Sequence, residues 1–261
     1  PAFDADSAYA KVERQLAFGP RIPGTQAHAS CAAWMAAEFK RFGAEVIVQD
    51  GVMNGKGNKE VRFKNMIASY NPSAANRVML TAHWDSRPMA DKDDNKPTAP
   101  VPGANDGASG VAIILEVARQ MGLKAPKTGI DLILWDAEDN GDYNDNDSWC
   151  LGSQFWAKQP HKAGYRAKYG INLDMVGAKD ARYTKDGYSI QNAGPETNNV
   201  WSIAAQIGYG QYFSGAVTNN ATLRFNRSDD VTVANAISGT GELVKDASNT
   251  LTLTSNNTYT G

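Results

Sequence analysis

Two runs of almost unbroken apolar residues, 77–82 (RVMLTA) and 130–135 (IDLILW), constrain the fold of this chain most. A strand with one wet face alternates apolar and polar residues. One covered on both faces reads as a continuous apolar run, and such strands come chiefly from parallel sheets with helices on each side. Helical segments occur in the right places. Residues 4–18 set Tyr9, Val12, Leu16 and Phe18 near one face, and residues 25–42 are Ala-rich with Trp34, Met35 and Phe39 before the stop at Gly43. GVAIILEVARQMG, from Gly110, repeats apolar residues at helical spacing. AEVIVQDG, the turn NGKGN and VRFKNMIASY read as a hairpin, SQFWAKQ as a short helix and YGINLDMVG as a further strand. Strands alternating with helices predict an α/β fold with a mostly parallel central sheet flanked by helices. RYTKDGYSIQ reads as another hairpin, followed by a helix from near Glu196 to about Gly208.

At about Tyr212 the composition changes, becoming Thr- and Asn-rich and short-stranded. The organisation expected is an α/β domain over residues 1–212 and a C-terminal β-rich appendage over 213–261.

The apolar runs deliver polar groups at their ends. His83 and Asp85 follow the first run, Glu138 and Asp139 the second, and Asp174 follows INL. Asp106 sits in PGANDGASG at the mouth of the Gly110 helix, where it reads either as a helix cap or as a metal ligand. Open α/β sheets bind ligands at the carboxyl ends of their strands, so these groups are expected on one rim. One imidazole among several carboxylates suits a divalent ion such as zinc, since that much negative charge repels itself unless a cation is present. Asp85 is placed to orient the His83 ring. The run DNGDYNDND reads as a solvated or calcium-holding loop with no catalytic role, and His28 and His161 as surface residues. Trp84 and Trp149 are candidates for the walls of a small hydrophobic pocket. Cys31 and Cys150 are left unassigned.

Lys plus Arg number 26 against 28 Asp plus Glu, a formal net charge of −2, which argues against a nucleic-acid surface or a polybasic membrane anchor. No apolar run reaches the length of a bilayer span.

AHWDSRP, PGANDGASGVAIILEVAR, LILWDAED, WCLGSQFWA, YGINLDMVGA and the early FGPRIPGTQAH together resemble bacterial glutaminyl-peptide cyclotransferases, relatives of the zinc aminopeptidases. The resemblance implies that Asp106 and Asp139 bind a single catalytic zinc, that Glu138 is the general acid and base, and that Asp174 stabilises the reacting amide. In the aminopeptidase relatives His83 and Asp174 would hold a second metal, with Asp106 bridging. The implied substrate is a peptide or protein N-terminus, and the implied reaction is cyclisation of N-terminal glutamine to pyroglutamate with release of ammonia. A bacterial, exported origin, periplasmic or cell-surface, goes with it. Oligomeric state is left open.

The pattern departs from that family in one respect. A further zinc ligand, a C-terminal histidine, has no counterpart, because none of the three histidines follows His161. The segment where it belongs resembles the β-strand repeat of autotransporter passenger domains, which accounts for Asp229 and Asp230 in their own context. The alternatives are therefore a zinc aminopeptidase and a catalytically inactive surface or binding module.

Overall fold

In the computed structural model, which describes residues 2–213, 217–218, 222–225, 230–246 and 248–260, α1 (Ala5–Leu16) and α2 (Gln26–Arg41) precede the hairpin β1 (Glu45–Asn54) and β2 (Glu60–Tyr70). The first apolar run is β3 (Arg77–His83). Helix α3 (Ala108–Leu123) crosses to the second run, β4 (Gly129–Trp135), which lies parallel to β3. After the short helix α4 (Leu151–Lys158), β5 (Gly170–Asn172) pairs in parallel with the other edge of β3. The hairpin joins through β2, antiparallel to β4, giving the order β1-β2-β4-β3-β5. The expected α/β fold is observed, and its parallel block is the part that carries the polar strand ends.

Side-chain alternation sorts the two faces. Met66, Ala68 and Tyr70 of β2 pack with Leu132 and Leu134 of β4 against Met35 and Phe39 of α2 and Ile114 and Leu115 of α3. Val61 and Phe63 turn to the other face and meet Leu151 and Phe155 of α4. This two-sided cover is why the central runs contain so few polar residues. One of them, Asp131, is fully buried and satisfied by Arg77, Ser69 and Tyr165.

Three expectations change. Asp106 is not the cap of α3: Gly107 occupies that position, with no side-chain cap bond. His28 is buried, its ring stacked on Trp84 and paired with Asp136, while His161 is half-buried and accepts a bond from Trp156 Nε1. The predicted hairpin at 182–191 is instead the approach to α5 (Gly187–Gln206), because the Asp186 carboxylate accepts Ser189 N–H and starts a helix there. That helix kinks at Ala193 (φ −147°, ψ 44°), and Pro195, which has no N–H to bond, opens its second half.

Residues 179–261 form a second compact unit, dividing from the first at Ala178 and Lys179. The division lies ahead of the compositional change at Tyr212 because Trp201 and Ala205 of α5 join the apolar cluster of the β-strands. Those strands are β6 (Val217–Thr218), β7 (Thr222–Phe225), β8 (Val231–Val233), β9 (Ile237–Gly239), β10 (Glu242–Lys245), β11 (Leu251–Leu253) and β12 (Thr258–Tyr259). Among the described residues their pairings are parallel, and each partner lies 20 positions along the chain: Glu242 against Thr222, Leu251 against Val231, Thr258 against Ser238. A constant step of this kind is the register of a coil wound on itself, with Leu223, Val233 and Ile237 facing its interior. Asp229 lies outside the described residues; Asp230 is exposed and accepts Thr250 N–H at 2.6 Å.

Helix α1 is held by polar contacts more than by its apolar residues. Tyr9 is exposed, and the positions facing inward are Ala8, Lys11 and Gln15. The anchor is Glu116 of α3, whose fully buried carboxylate accepts from Asp4 N, Ser7 Oγ, Lys11 Nζ, Arg119 and Gln120. Burial alone would raise its pKa, but these donors outweigh burial and hold it well below the usual carboxylate range. A carboxyl depressed by folding adds stability that is complete above its unfolded pKa of about 4.3 and is lost as pH falls below it. Glu116→Gln is expected to cost on the order of 3 kcal/mol at pH 7, since it leaves the buried Lys11 ammonium without its carboxylate. In urea unfolding, the gap between wild type and variant should begin to narrow below about pH 5 and go on narrowing as pH falls through about 3 towards the depressed folded pKa.

Candidate metal centre

The parallel register sets the level of the site. His83, the last residue of β3, lies opposite Trp135 of β4, and Thr81 lies opposite Asn172 of β5. Continuing those registers brings Asp174 level with His83 and starts the Asp136–Asp139 turn one residue higher. The loop before α3 then lowers Asp106 onto the same rim. Gly107 permits this with φ 87°: a Cβ there would meet Asp85 O at 2.7 Å and His83 Cε1 at 3.2 Å.

His83 is the centre of the arrangement and is 3% exposed. Its Nε2 lies 2.8 Å from Asp106 Oδ1 and 3.6 Å from Asp174 Oδ1, and its Nδ1 lies 3.4 Å from Asp85 Oδ1 and 3.9 Å from Glu138 Oε2. Despite these short distances, Nε2 makes no aligned hydrogen bond among the described residues. A buried imidazole nitrogen with a carboxylate oxygen on either side, the three ligand atoms within 4.8 Å of one another, is a donor set that fits a divalent cation. Among the described residues it is the one such group, so the acidic run at 139–147 forms no comparable cluster. Asp106 and Asp174 keep 40% and 48% of their side chains open to solvent, which leaves the cation position accessible.

The field around this position is strongly negative. Burial disfavours a charged His83 ring, but Asp106, Asp174 and Asp85 outweigh burial and raise its pKa. Asp174 is correspondingly lowered by His83. Glu138 is raised, chiefly by burial, with Asp85 and Asp174 adding repulsion. Asp139 is pushed up to about 7 by burial and by the charges of Asp106, Asp85 and Glu138.

Several residues hold the carboxylates in place. Asp85, fully buried, accepts the N–H groups of Glu138 and Asp139 at 3.1 Å each, so it supports the turn as well as standing beside the His83 ring. Arg87 reaches Asp139 through both its carbonyl and Oδ1 at 3.1 Å. Arg21, also fully buried, clamps the Asp106 loop to the end of β3 by donating to Trp84 O, Pro102 O and Gly103 O. Asn105 Oδ1 and Ser109 Oγ accept from Gly177 N and Val176 N, tying the Asp174 segment to the same loop. Ala137 (φ 50°), Cys150 (φ 55°) and Met175 (φ 48°) take left-handed conformations beside or opposite the functional side chains, which a non-glycine residue adopts only under firm restraint.

The structure thus brings His83, Asp106 and Asp174 together and sets Asp139 against Arg87. Arg21, Arg87 and Asn105 lie in motifs that carry the resemblance (FGPRIPGTQAH, AHWDSRP and PGANDGASG), but the sequence assigned them no role. Trp84 is fully buried and cannot wall a pocket, while Trp149 is half-buried under the Arg87 guanidinium at 4.8 Å. Both cysteines are free, and Cys150 Sγ lies 3.4 Å from Glu138 Oε1. Beside the turn opens a cleft of about 640 Å³, lined by Arg87, Asn140, Lys56, Lys59 and Arg62 among others.

The sequence pattern of peptidase family M28 matches residues 65–250. Among solved structures, a Zn-dependent exopeptidase from Parabacteroides distasonis is similar with a TM-score of 0.79 and 51% identity, over 82% of this chain and 75% of that one. The glutaminyl cyclase of Tannerella forsythia gives 0.79 and 49%, over 82% and 76%. A glutaminyl-peptide cyclotransferase from Drosophila melanogaster is 27% identical over 172 residues, 63% of this chain and 46% of that protein. The chain spans less than half the length of the curated relatives it matches.

A carboxyl whose pKa rises on folding, as for Asp139, lowers stability by an amount that is absent below about pH 4 and complete above about 7. A divalent cation offsets that repulsion, so the rise in Tm on adding zinc should be larger at pH 8 than at pH 5.5 by scanning fluorimetry. His83→Ala should abolish the rise, and Asp139→Asn should keep most of it; the opposite ranking would place the cation between Asp106 and Asp139.

Proposed function

Because the chain belongs to peptidase family M28, we propose that it acts on peptide or protein N-termini as a zinc-dependent, glutaminyl-peptide cyclotransferase-like enzyme. The observation that carries the reading is the placement of Glu138. Its carboxyl is 30% exposed, its pKa is raised mainly by burial, and it stands 3.9 Å from the His83 ring of the three-ligand cluster. A carboxyl placed in this way, neither buried nor freely solvated and beside the candidate cation position, is suited to proton transfer.

His83, Asp106 and Asp174 would hold the zinc, which when bound supplies Lewis acidity towards a substrate carbonyl. Glu138 takes a proton from the α-amine of an N-terminal glutamine as the amine nitrogen attacks the side-chain amide carbon. The bond from that carbon to the amide nitrogen then breaks. Glu138 returns the proton to the departing nitrogen, so the products are a pyroglutamyl peptide and ammonia, and no water is consumed. Asp85 and Arg87 keep the 136–139 turn aligned for the transfer. In this reading Asp139 serves the field and the turn, because neither His28 nor His161 is placed to complete a second ligand set with it.

A second reading is favoured by one observation. His83, Asp106 and Asp174 are the combination that the aminopeptidase relatives would use for a metal, and the exopeptidase from Parabacteroides distasonis is 51% identical. Hydrolysis would release the first amino acid and consume water. An exported location, periplasmic or at the cell surface, belongs to the same proposal; no helix among the described residues is long and apolar enough to cross a membrane. The likeness of residues 213–261 to an autotransporter repeat rests on the sequence pattern alone and is a proposal; the family pattern itself runs through residue 250.

Incubated with zinc, the protein should convert a Gln-initiated peptide to its pyroglutamyl form with equimolar ammonia. Glu138→Gln should lower kcat by about 10²- to 10⁴-fold while zinc is retained. Release of a free amino acid would replace the cyclisation reading by the hydrolytic one, and zinc binding without either product would leave a binding module. The cleft lining carries Lys56, Lys59, Arg62 and Arg87 against Glu60, with Arg62 paired to Glu60, Lys56 to Asp142 and Arg87 to Asp91 and Asp139. The charge it offers acidic residues beyond the first rests mainly on Lys59, so KM should rise when position two or three of the peptide changes from Glu to Lys. Lys59→Glu with Arg62→Glu should reverse that preference; an unchanged preference would mean that the peptide does not use the cleft.

A further inference from the structure

We infer that His28 is a positioning residue for the metal centre, joining the ends of β3 and β4 from the first turn of α2. The inference rests on the site proposed above and names a residue outside it. His28 is 4% exposed, and its main-chain N–H is fixed by Thr25 Oγ1 at the helix start. Its ring touches both strand ends at once. One contact is a stack on Trp84, with ring centres 4.3 Å apart and planes 22° from parallel. The other is Nε2 against Asp136 Oδ2 at 2.8 Å.

Each contact leads directly to the site. Trp84 stands in the chain between His83 and Asp85, is fully buried, and is pinned on its far side by donating Nε1–H to Lys64 O. Its ring plane therefore helps to set the direction in which the chain leaves β3, and with it the His83 ring. Asp136 opens the turn that carries Glu138 and Asp139. Its Oδ1 accepts Ala137 N–H at 2.8 Å, and its Oδ2 accepts Lys64 N–H at 2.6 Å. Those bonds hold Ala137 at φ 50°, a conformation that a residue with a Cβ keeps only when its surroundings over-determine it. A fully buried carboxyl is costly unless its oxygens are hydrogen-bonded, and His28 adds a side-chain partner to the two main-chain amides. Among the described residues, His28 is the ionisable partner within ion-pair distance.

The arrangement differs from ordinary core packing in its selectivity. An aliphatic side chain at position 28 would fill the volume but would leave the Asp136 oxygen without its imidazole partner. An amide would supply the donor but lose the stack. The two contacts therefore separate by substitution: His28→Gln keeps a donor for Asp136, His28→Phe keeps a ring for Trp84, and His28→Ala keeps neither.

The test is amide hydrogen exchange followed peptide by peptide, together with zinc titration calorimetry, on the full chain and these three variants. In His28→Ala, exchange should rise by at least about tenfold at residues 83–87 and 136–141 and stay near wild type in the hairpin strands and in residues 179–261. Zinc Kd should rise by about 10- to 100-fold, the range expected when the support of a metal ligand is lost. His28→Gln should stay within a few-fold of wild type in Kd, and Asp136→Asn added to His28→Ala should change little further. The inference is overturned if His28→Ala raises exchange uniformly across residues 2–178, which marks a general packing role. It is also overturned if the turn and the zinc Kd remain at their wild-type values. A wild-type protein that takes up no zinc would defeat the zinc reading of the site, and the exchange pattern would then decide the role of His28 alone.

Discussion

The structure depends on how one imidazole is surrounded by carboxylates. Asp85, Asp106, Glu138 and Asp174 all place an oxygen within 4 Å of His83, which is itself buried. Like charges as close as the ligand oxygens of Asp106 and Asp174, within 4.8 Å, repel by several kcal/mol at the effective dielectric of a protein surface, about 20. The fold meets this load in three ways. It neutralises through Arg87, it donates main-chain N–H groups of Glu138 and Asp139 to Asp85, and it leaves Asp106 and Asp174 partly open to a cation. The pKa values of Glu138 and Asp139 stay raised, first by burial and then by the repulsion that remains.

Keeping these groups apart by fixed amounts requires a rigid frame, and the frame is the parallel block. Hydrogen-bond register levels the ends of β3, β4 and β5 without any contribution from the side chains that do chemistry. The loops then add the parts that register cannot supply. Gly107 brings the Asp106 loop over His83, Arg21 binds three carbonyls of that region, and left-handed residues turn the chain sharply after β4 and β5. Local strain at these turns is tolerated because the two covered faces of the sheet bury enough apolar surface to hold them.

The second unit follows a different logic. Its parallel pairs at 20-position spacing make each turn of chain the template for the next, so stability comes from stacking like residues such as Leu223 on Leu243 and Val233 on Leu253.

What the sequence by itself determined is the set of strand ends. Continuous apolar runs require cover on both faces, covered parallel strands align their carboxyl ends, and a reader of RVMLTA and IDLILW can place His83, Glu138, Asp139 and Asp174 on one rim. The compositional break near Tyr212 was legible for a similar reason, since a Thr- and Asn-rich stretch without helical periodicity supports only short strands. The tertiary structure decided which of the rim residues meet. The resemblance pairs Asp106 with Asp139, and the structure adds that Asp106 stands within 4.8 Å of ligand atoms of His83 and Asp174 while its charge also reaches Asp139, contacts set by loop paths that Arg21 and Arg87 hold. Burial of His28 was equally invisible: its neighbours Trp84 and Asp136 are more than 50 residues away in the chain and reach it only when β3 and β4 lie side by side under α2. Periodicity reports how a segment faces the core, whereas the partner of a buried polar group is a long-range choice that only the assembled sheet can make.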